Sequence, residues 1–191
     1  MKETDLLKLF EDTQALLNGH FELRSGLHSN RFFQCALLLQ YPRIAEQVCT
    51  ALVEKMKTVL GELDVDTVIS PALGGIPVGH EVARALGKRF IFAEKNADKM
   101  LTMRRFKIAQ GERFLVAEDV ITRGGRVQET IDIVKQYGGI VHSVGVLVNR
   151  SGGKAQFDYP TVSLLDIEPV TWEPAECPLC RQGLPLVHPG S

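Results

Sequence analysis

Between residues 67 and 148, short apolar runs alternate with stretches whose apolar residues recur every three or four positions. Residues 67–70, 89–93, 113–120 and 140–148 read as strands, while 76–86 and 127–137 read as helices. Strands this short and this apolar suit a sheet covered on both faces, and strand–helix alternation makes the sheet parallel. Crossovers in such sheets are right-handed, so the expected fold is α/β with a doubly wound, mostly parallel sheet. Ligands of these sheets bind beyond the carboxyl ends of the strands.

The remainder of the chain constrains less. A net charge of −1 over 191 residues gives no whole-chain argument for nucleic acid or an anionic membrane, so any anion site must be built locally. No apolar run approaches the ~20 residues that span a bilayer. Met1-Lys-Glu-Thr-Asp-Leu-Leu lacks the apolar core of a signal peptide. The chain reads as one cytoplasmic domain over 1–191. Thr4 as N-cap with Leu6, Leu7, Phe10, Leu16 and Leu17 predicts a helix ending at Gly19. Residues 19–40 predict short strands and loops. Pro42 opens a helix carried by Ile44, Val48, Leu52, Met56 and Val59. One further strand is predicted at 161–167, in a proline-richer tail.

Each central strand ends in unusual chemistry: Ser70-Pro-Ala-Leu-Gly-Gly, Ala93-Glu-Lys, Glu118-Asp119 and Asn149-Arg150. The third is the richest, because Phe114-Leu-Val-Ala-Glu-Asp-Val-Ile-Thr-Arg-Gly-Gly-Arg126 delivers two carboxylates to a glycine turn that opens a helix. Such a turn attracts an anion through its unpaired N–H groups and the helix dipole. Carboxylates and a phosphate repel unless something lies between them, and a phosphorylated sugar fills that role. The acids have two other readings, Mg2+ ligands or an acid–base pair. Arg123 and Arg126 sit at the positive end of a helix, which costs roughly 0.3–1 kcal/mol each unless a phosphate arrives. The plainer alternative is a glycine turn with solvated arginines, Arg126 pairing with Glu129.

Glu118-Asp-Val-Ile-Thr-Arg-Gly-Gly closely resembles the 5-phosphoribosyl 1-diphosphate (PRPP) motif of the type I phosphoribosyltransferases. The resemblance implies that Glu118 and Asp119 hold the ribose 2′- and 3′-hydroxyls. It places Val120 and Ile121 along the same PRPP contact and gives the 5′-phosphate to Thr122, Arg123, Gly124, Gly125 and Arg126. Members often carry Thr or Ser at the last positions, so the two arginines read as a variant clamp. Ser70-Pro-Ala-Leu-Gly-Gly-Ile-Pro77 resembles the family's diphosphate loop, with Leu73, Gly74 and Gly75 on PRPP and a non-proline cis peptide implied at Ala72–Leu73. Many members have lysine where Gly74 stands here.

Phe21-Glu-Leu-Arg-Ser-Gly-Leu-His-Ser-Asn-Arg-Phe-Phe33 looks like the N-terminal motif of the orotate phosphoribosyltransferases. That resemblance implies Arg24 on the diphosphate, and Phe32, Phe33, Arg150 and Thr122 on orotate. Without it, the phenylalanines read equally well as core of a small N-terminal unit, and Arg150 as a surface residue. The family's mobile catalytic loop falls at 94–107, where Lys95, Lys99, Arg104 and Arg105 are the candidate catalytic cations. A charged, solvated hairpin is the alternative for any one of them. The loop has no histidine, which is similar to a shorter bacterial subgroup.

The implied activity is transfer of ribose 5-phosphate from PRPP to orotate, giving orotidine 5′-monophosphate and pyrophosphate in UMP biosynthesis. The implied fold is the type I phosphoribosyltransferase fold, a core of about 41–154 with a small hood from about 19–40 and 155–191. Mg2+ would arrive on substrate diphosphate and water, with no dedicated protein site, and a homodimer would share the mobile loop. Rivals are a transferase for another nucleobase and a PRPP-sensing regulator, though the N-terminal residues are too few and too mixed in charge for a winged helix. No P-loop or dinucleotide glycine pattern occurs. Cys35 and Cys49 read as core thiols. Cys177-Pro-Leu-Cys180 is half of a zinc-ribbon spacing, and with His188 placed too irregularly to complete it, a tight turn is the favoured reading.

Overall fold

The computed structural model describes residues 1, 3–23, 25–167 and 170–189. The chain divides into two compact units, Met1–Gln40 with Glu168–Ser191, and Tyr41–Ile167.

The larger unit carries, among the described residues, a six-stranded sheet. Its strands are β3 (Thr67–Pro71), β4 (Arg89–Lys95), β5 (Leu101–Thr102), β6 (Arg113–Ile121), β7 (Ile140–Asn149) and β8 (Thr161–Asp166), in the order β5-β4-β3-β6-β7-β8. All neighbours are parallel except β5, which turns back on β4. Helices α3 (Pro42–Leu60) and α4 (Gly75–Leu86) pack on each other and on the sheet. Helix α5 (Gly125–Gln136) is amphipathic, and Val127, Ile131 and Val134 join Ile69, Phe114, Val116 and Val144 in one buried cluster. β3 is buried at every position, as a strand covered on both faces must be.

Helix α4 presses so closely on β3 that Gly79 has no room for a side chain. A Cβ there would overlap Ser70 Oγ and the Phe90 ring. Overpacking of this kind costs roughly 1–3 kcal/mol. Gly79→Ala is therefore expected to lower Tm by several degrees in calorimetry, at roughly 2–4 °C per kcal/mol for a chain of this size. An unchanged Tm would mean that the α4–β3 contact is looser than described.

The smaller unit is built on a three-stranded antiparallel sheet among its described residues, β1 (Leu16–Glu22), β2 (His28–Phe33) and β9 (Thr171–Trp172), in that order. With it come helices α1 (Glu3–Asp12), α2 (Cys35–Leu39) and α6 (Pro178–Arg181). Leu6 and Phe10 of α1 are buried, Phe10 meeting Phe33 edge-on at 6.0 Å between ring centroids.

Three expectations change. The first helix stops at Asp12 rather than Gly19, because the Thr13 hydroxyl donates to Leu9 O at 2.7 Å and Gln14 turns to φ 57. Leu16 and Leu17, placed on that helix by spacing, open β1 instead. Residues 35–39, read among strands and loops, form α2. Residues 155–167, assigned to the hood, go with the larger unit because β8 extends its sheet beside β7. The other central elements lie within a few residues of the sequence reading.

Candidate active site

From β3 the chain crosses to β4 on one side, then returns to β6 on the other. The loops leaving β3 and β6 therefore diverge at their carboxyl ends, which is where a doubly wound sheet opens a crevice. Both sequence motifs land on this switch point.

The β3–α4 loop contains a cis peptide at Ala72–Leu73, where the resemblance placed one. Leu73 is 83% exposed, and the Ala72 N–H donates to Ala93 O at 2.8 Å. The loop then runs as bare backbone against the acids of β6. A Cβ added at Gly74 would lie 2.8 Å from Asp119 Oδ2, and one at Gly75 would lie 3.0 Å from Glu118 Oε1. Glycine at 74 is thus tied to this close approach. A lysine could enter only if the Asp119 carboxylate moved.

Glu118 is buried and Asp119 half-buried. The Asp119 N–H donates to Glu118 Oε1 at 3.0 Å, and the Val120 N–H donates to Asp119 Oδ1 at 2.8 Å. Burial, and then the neighbouring Asp119 charge, push the Glu118 carboxyl well above the usual range, while Arg126 opposes this. Burial raises Asp119 as well. Two such neighbouring buried carboxyls do not both ionise cheaply, and their titrations are coupled.

The native state therefore binds the Glu118 proton more tightly than the unfolded chain does. Stability from this group is complete below the ordinary glutamate value of about 4.3 and is lost as pH rises through the raised folded value. Glu118→Gln removes that loss. Its Tm should exceed wild type by a margin that widens as pH rises above the ordinary glutamate value of about 4.3. A margin that does not vary with pH would contradict the burial argument.

Beyond β6, Thr122 and Arg123 are exposed and Gly124 takes φ 80 before α5 begins at Gly125. Gly124 is also hemmed in, since a Cβ would sit 2.9 Å from Phe157 Cζ. Phe157 holds this turn from the β7–β8 connection, a contact no local pattern reveals. The turn leaves the first N–H groups of α5 facing outward.

Arg126 pairs with Glu129, as the plainer reading has it. Its Nη1 donates to Glu129 Oε2 at 2.7 Å and to Lys99 O at 3.2 Å, and the Leu101 N–H donates to the same Glu129 oxygen at 3.2 Å. Arg126 and Glu129 thus tie the start of α5 to the β4–β5 hairpin.

That hairpin is the 94–107 segment read as a catalytic loop. Lys95 ends β4, while Lys99 lies at the tip with φ 62, and both are exposed, as is Arg104. Arg105 is engaged: its Nε and Nη2 donate to the two Glu94 carboxylate oxygens at 2.6 and 3.1 Å. The hydrogen bond from Arg105 holds the Glu94 carboxyl below its ordinary value. For Arg105 the structure therefore shows a hairpin ion pair.

Arg150 follows β7 directly, and its N–H donates to Ile121 O at 2.7 Å. The chain from Asn149 to Arg150 is thereby fixed beside the strand that carries the acids. Phe32 and Phe33, in the smaller unit, do not act as a pair. Successive residues of a strand point to opposite faces. Phe33 is buried against Phe10, while Phe32 is half-buried at 5.8 Å from Phe21. Of the two, Phe32 is the more exposed. Arg24 lies outside the described residues.

Residues 37–180 match the phosphoribosyl transferase domain model. Over all 191 residues the chain is 50% identical to the orotate phosphoribosyltransferase of Caldicellulosiruptor bescii, covering 98% of that protein. The chain belongs to the orotate phosphoribosyltransferase family. It is also 49% identical to the family member from Desulforamulus reducens, again across the full chain and 98% of the relative. Among solved structures, the orotate phosphoribosyltransferase of Aeropyrum pernix superposes with a TM-score of 0.72 at 25% identity, covering 85% of this chain and 93% of that one. An adenine phosphoribosyltransferase from Thermoanaerobacter pseudethanolicus superposes at 0.62 with 18% identity, covering 72% and 88%. The fold and its switch point are thus common to enzymes named for different bases. No helix among the described residues is long and apolar enough to cross a membrane.

Proposed function

We propose that this chain transfers ribose 5-phosphate from PRPP to orotate, forming orotidine 5′-monophosphate and pyrophosphate on the route to UMP. One observation carries the choice of base: full-length 50% identity to an orotate phosphoribosyltransferase. The geometry independently supports the sugar. At the switch point, two acids meet a glycine backbone and a helix-opening turn, which matches a diol between two phosphate groups.

In this reading the ribose hydroxyls donate to Glu118 and Asp119. Those hydrogen bonds favour the ionised carboxylates and offset the burial that otherwise holds a proton on the pair. The α5 N-terminus receives the 5′-phosphate, with Arg126 turning to it from Glu129. Leu73, Gly74 and Gly75 present backbone to the diphosphate, and Arg150 forks onto the planar orotate carboxylate. Orotate N1 bonds to the ribose anomeric carbon as the bond to diphosphate oxygen breaks and the diphosphate leaves. The chain contributes position, charge and exclusion of water, so no nucleophilic side chain is required.

Among the described residues, no cluster of three or more carboxylates forms a cage for Mg2+. Mg2+ would be held by the substrate diphosphate and water, which suits its partial, water-rich coordination and leaves the Glu118–Asp119 oxygens to the ribose hydroxyls. Bound with the diphosphate, Mg2+ would supply charge neutralisation on the leaving group. A homodimer would let Lys95, Lys99 and Arg104 of the hairpin reach a neighbouring site, and light scattering that finds a fully active monomer removes that part. The base is tested by offering orotate, uracil, adenine and xanthine separately with Mg2+ and PRPP, and identifying nucleotide products by mass spectrometry. Orotate alone should be converted. Preference for any other base overturns the assignment.

A further inference from the structure

The Cys-Pro-Leu-Cys segment does not stand alone in the folded chain. His20, His28, Cys177 and Cys180 bring one ligand atom each to within 4.8 Å of one another. All four belong to the smaller unit. The irregularity in the β1–β2 pairing between Asn18 and Phe21 accompanies the burial of both His20 and Phe21. The side chain of His20 thereby meets that of His28 across the hairpin, and the Cys-x-x-Cys turn at the start of α6 closes over both.

We propose that these four residues form a structural zinc site, the metal being bound by His20 Nε2, His28 Nδ1 and the two Sγ atoms. Zinc bonded at about 2.3 Å to sulfur and about 2.05 Å to nitrogen in a tetrahedron separates N from N by about 3.3 Å and N from S by about 3.5 Å. Here His20 Nε2 lies 3.0 Å from His28 Nδ1. The N–S separations are 3.5 Å for Cys177 to His20, 3.7 Å for Cys180 to His20 and 3.3 Å for Cys180 to His28. These four separations lie within about 0.3 Å of the edges of such a tetrahedron, and the remaining two, from Cys177 to His28 and to Cys180, are no more than 4.8 Å.

The hydrogen bonding of His20 points the same way. Its Nδ1 lies 2.9 Å from Leu184 O, and a carbonyl only accepts, so the ring proton sits on Nδ1. Nε2 is therefore a lone pair, and His28 Nδ1 and both sulfurs converge on it. One proton can serve one such contact, whereas a cation serves all four atoms. Donation from the second ring nitrogen to a backbone carbonyl is the usual way a ligating histidine is oriented.

Two histidines and two cysteines favour zinc over Mg2+ or Ca2+, and four protein ligands close the coordination shell, which suits structure rather than catalysis. Binding releases two thiol protons, and the resulting two thiolates cancel the charge of the ion, which lets it sit in a partly buried place. The smaller unit has a use for such a tie. From Val170 to Pro189, Cys177 is the one buried residue among those described. A tail with so little apolar anchorage needs another cross-link to hold it to β1 and β2.

The test uses the full chain prepared without a histidine tag, reconstituted with zinc and freed of excess metal. Elemental analysis should find one zinc per chain. The Co2+-substituted protein should show tetrahedral d–d bands and thiolate-to-cobalt charge transfer. Burial pushes the Cys49 thiol up to about 12, which disfavours a competing thiolate there, and Cys35 is buried as well. Cys180→Ser should weaken zinc binding by more than the roughly 10–100-fold that loss of an outer hydrogen-bond partner costs. Should that variant not fold, the cobalt spectrum of the unaltered chain still decides. No stoichiometric zinc, a cobalt spectrum without thiolate charge transfer, or equal zinc retention by a folded Cys180→Ser protein would each overturn the site.

Discussion

Asp119→Asn is expected to lower kcat/KM for PRPP by about ten- to a hundredfold. A hydrogen bond to a charged acceptor contributes roughly 1.5–3 kcal/mol, and the amide keeps the shape while losing the charge and turning one acceptor into a donor. The fold should be little affected, because the amide oxygen can accept from the Val120 N–H as the carboxylate does. The check is steady-state kinetics with PRPP varied at saturating orotate, alongside a melting curve. A variant with wild-type kcat/KM for PRPP would mean that Asp119 does not hold the sugar.

Arg150→Ala should strike the other substrate. Removing one partner of a buried, hydrogen-bonded charge pair typically costs 2–5 kcal/mol, or roughly thirtyfold to several thousandfold, much of it from the carboxylate left unpaired. KM for orotate should rise accordingly while KM for PRPP stays close to wild type. Arg150→Lys should recover part of the loss, since a point charge replaces the fork. Equal losses toward both substrates in the Asp119 and Arg150 variants would sink the division of labour between the strand ends.

The alternation of strand and helix from β3 to β7 was legible because both periodicities are local and the turns between them carry glycine or charge. The cis Ala72–Leu73 bond and the Glu118–Asp119 pair were legible through the motif in which they sit. Contacts set by tertiary packing were not. Nothing near Gly124 in sequence announces Phe157, and nothing near Gly74 announces how closely its backbone would approach Asp119. Leu16 and Leu17 continue the apolar spacing of α1, yet pairing with Phe33 and Phe32 across the hairpin takes them into a strand. Tertiary pairing overrides local spacing there.

The Phe32–Phe33 pair shows the opposite failure. A dipeptide motif suggests joint action, but a strand sends neighbours to opposite faces, and Phe33 goes to the core. The cysteines failed for want of partners. His20 and His28 lie more than a hundred residues from Cys177, as the 157-residue separation of His20 from it shows, and no spacing rule links them. Arg126 was legible as a choice between phosphate and Glu129, and its guanidinium is found on Glu129.

The central claim concerns the purified chain with Mg2+, PRPP and orotate, followed by the loss of orotate absorbance together with the release of pyrophosphate. Orotate consumed and pyrophosphate formed in equal amounts, only when Mg2+ and PRPP are both present, is the predicted result. Orotate left untouched under those conditions, by protein shown to be folded, would contradict it.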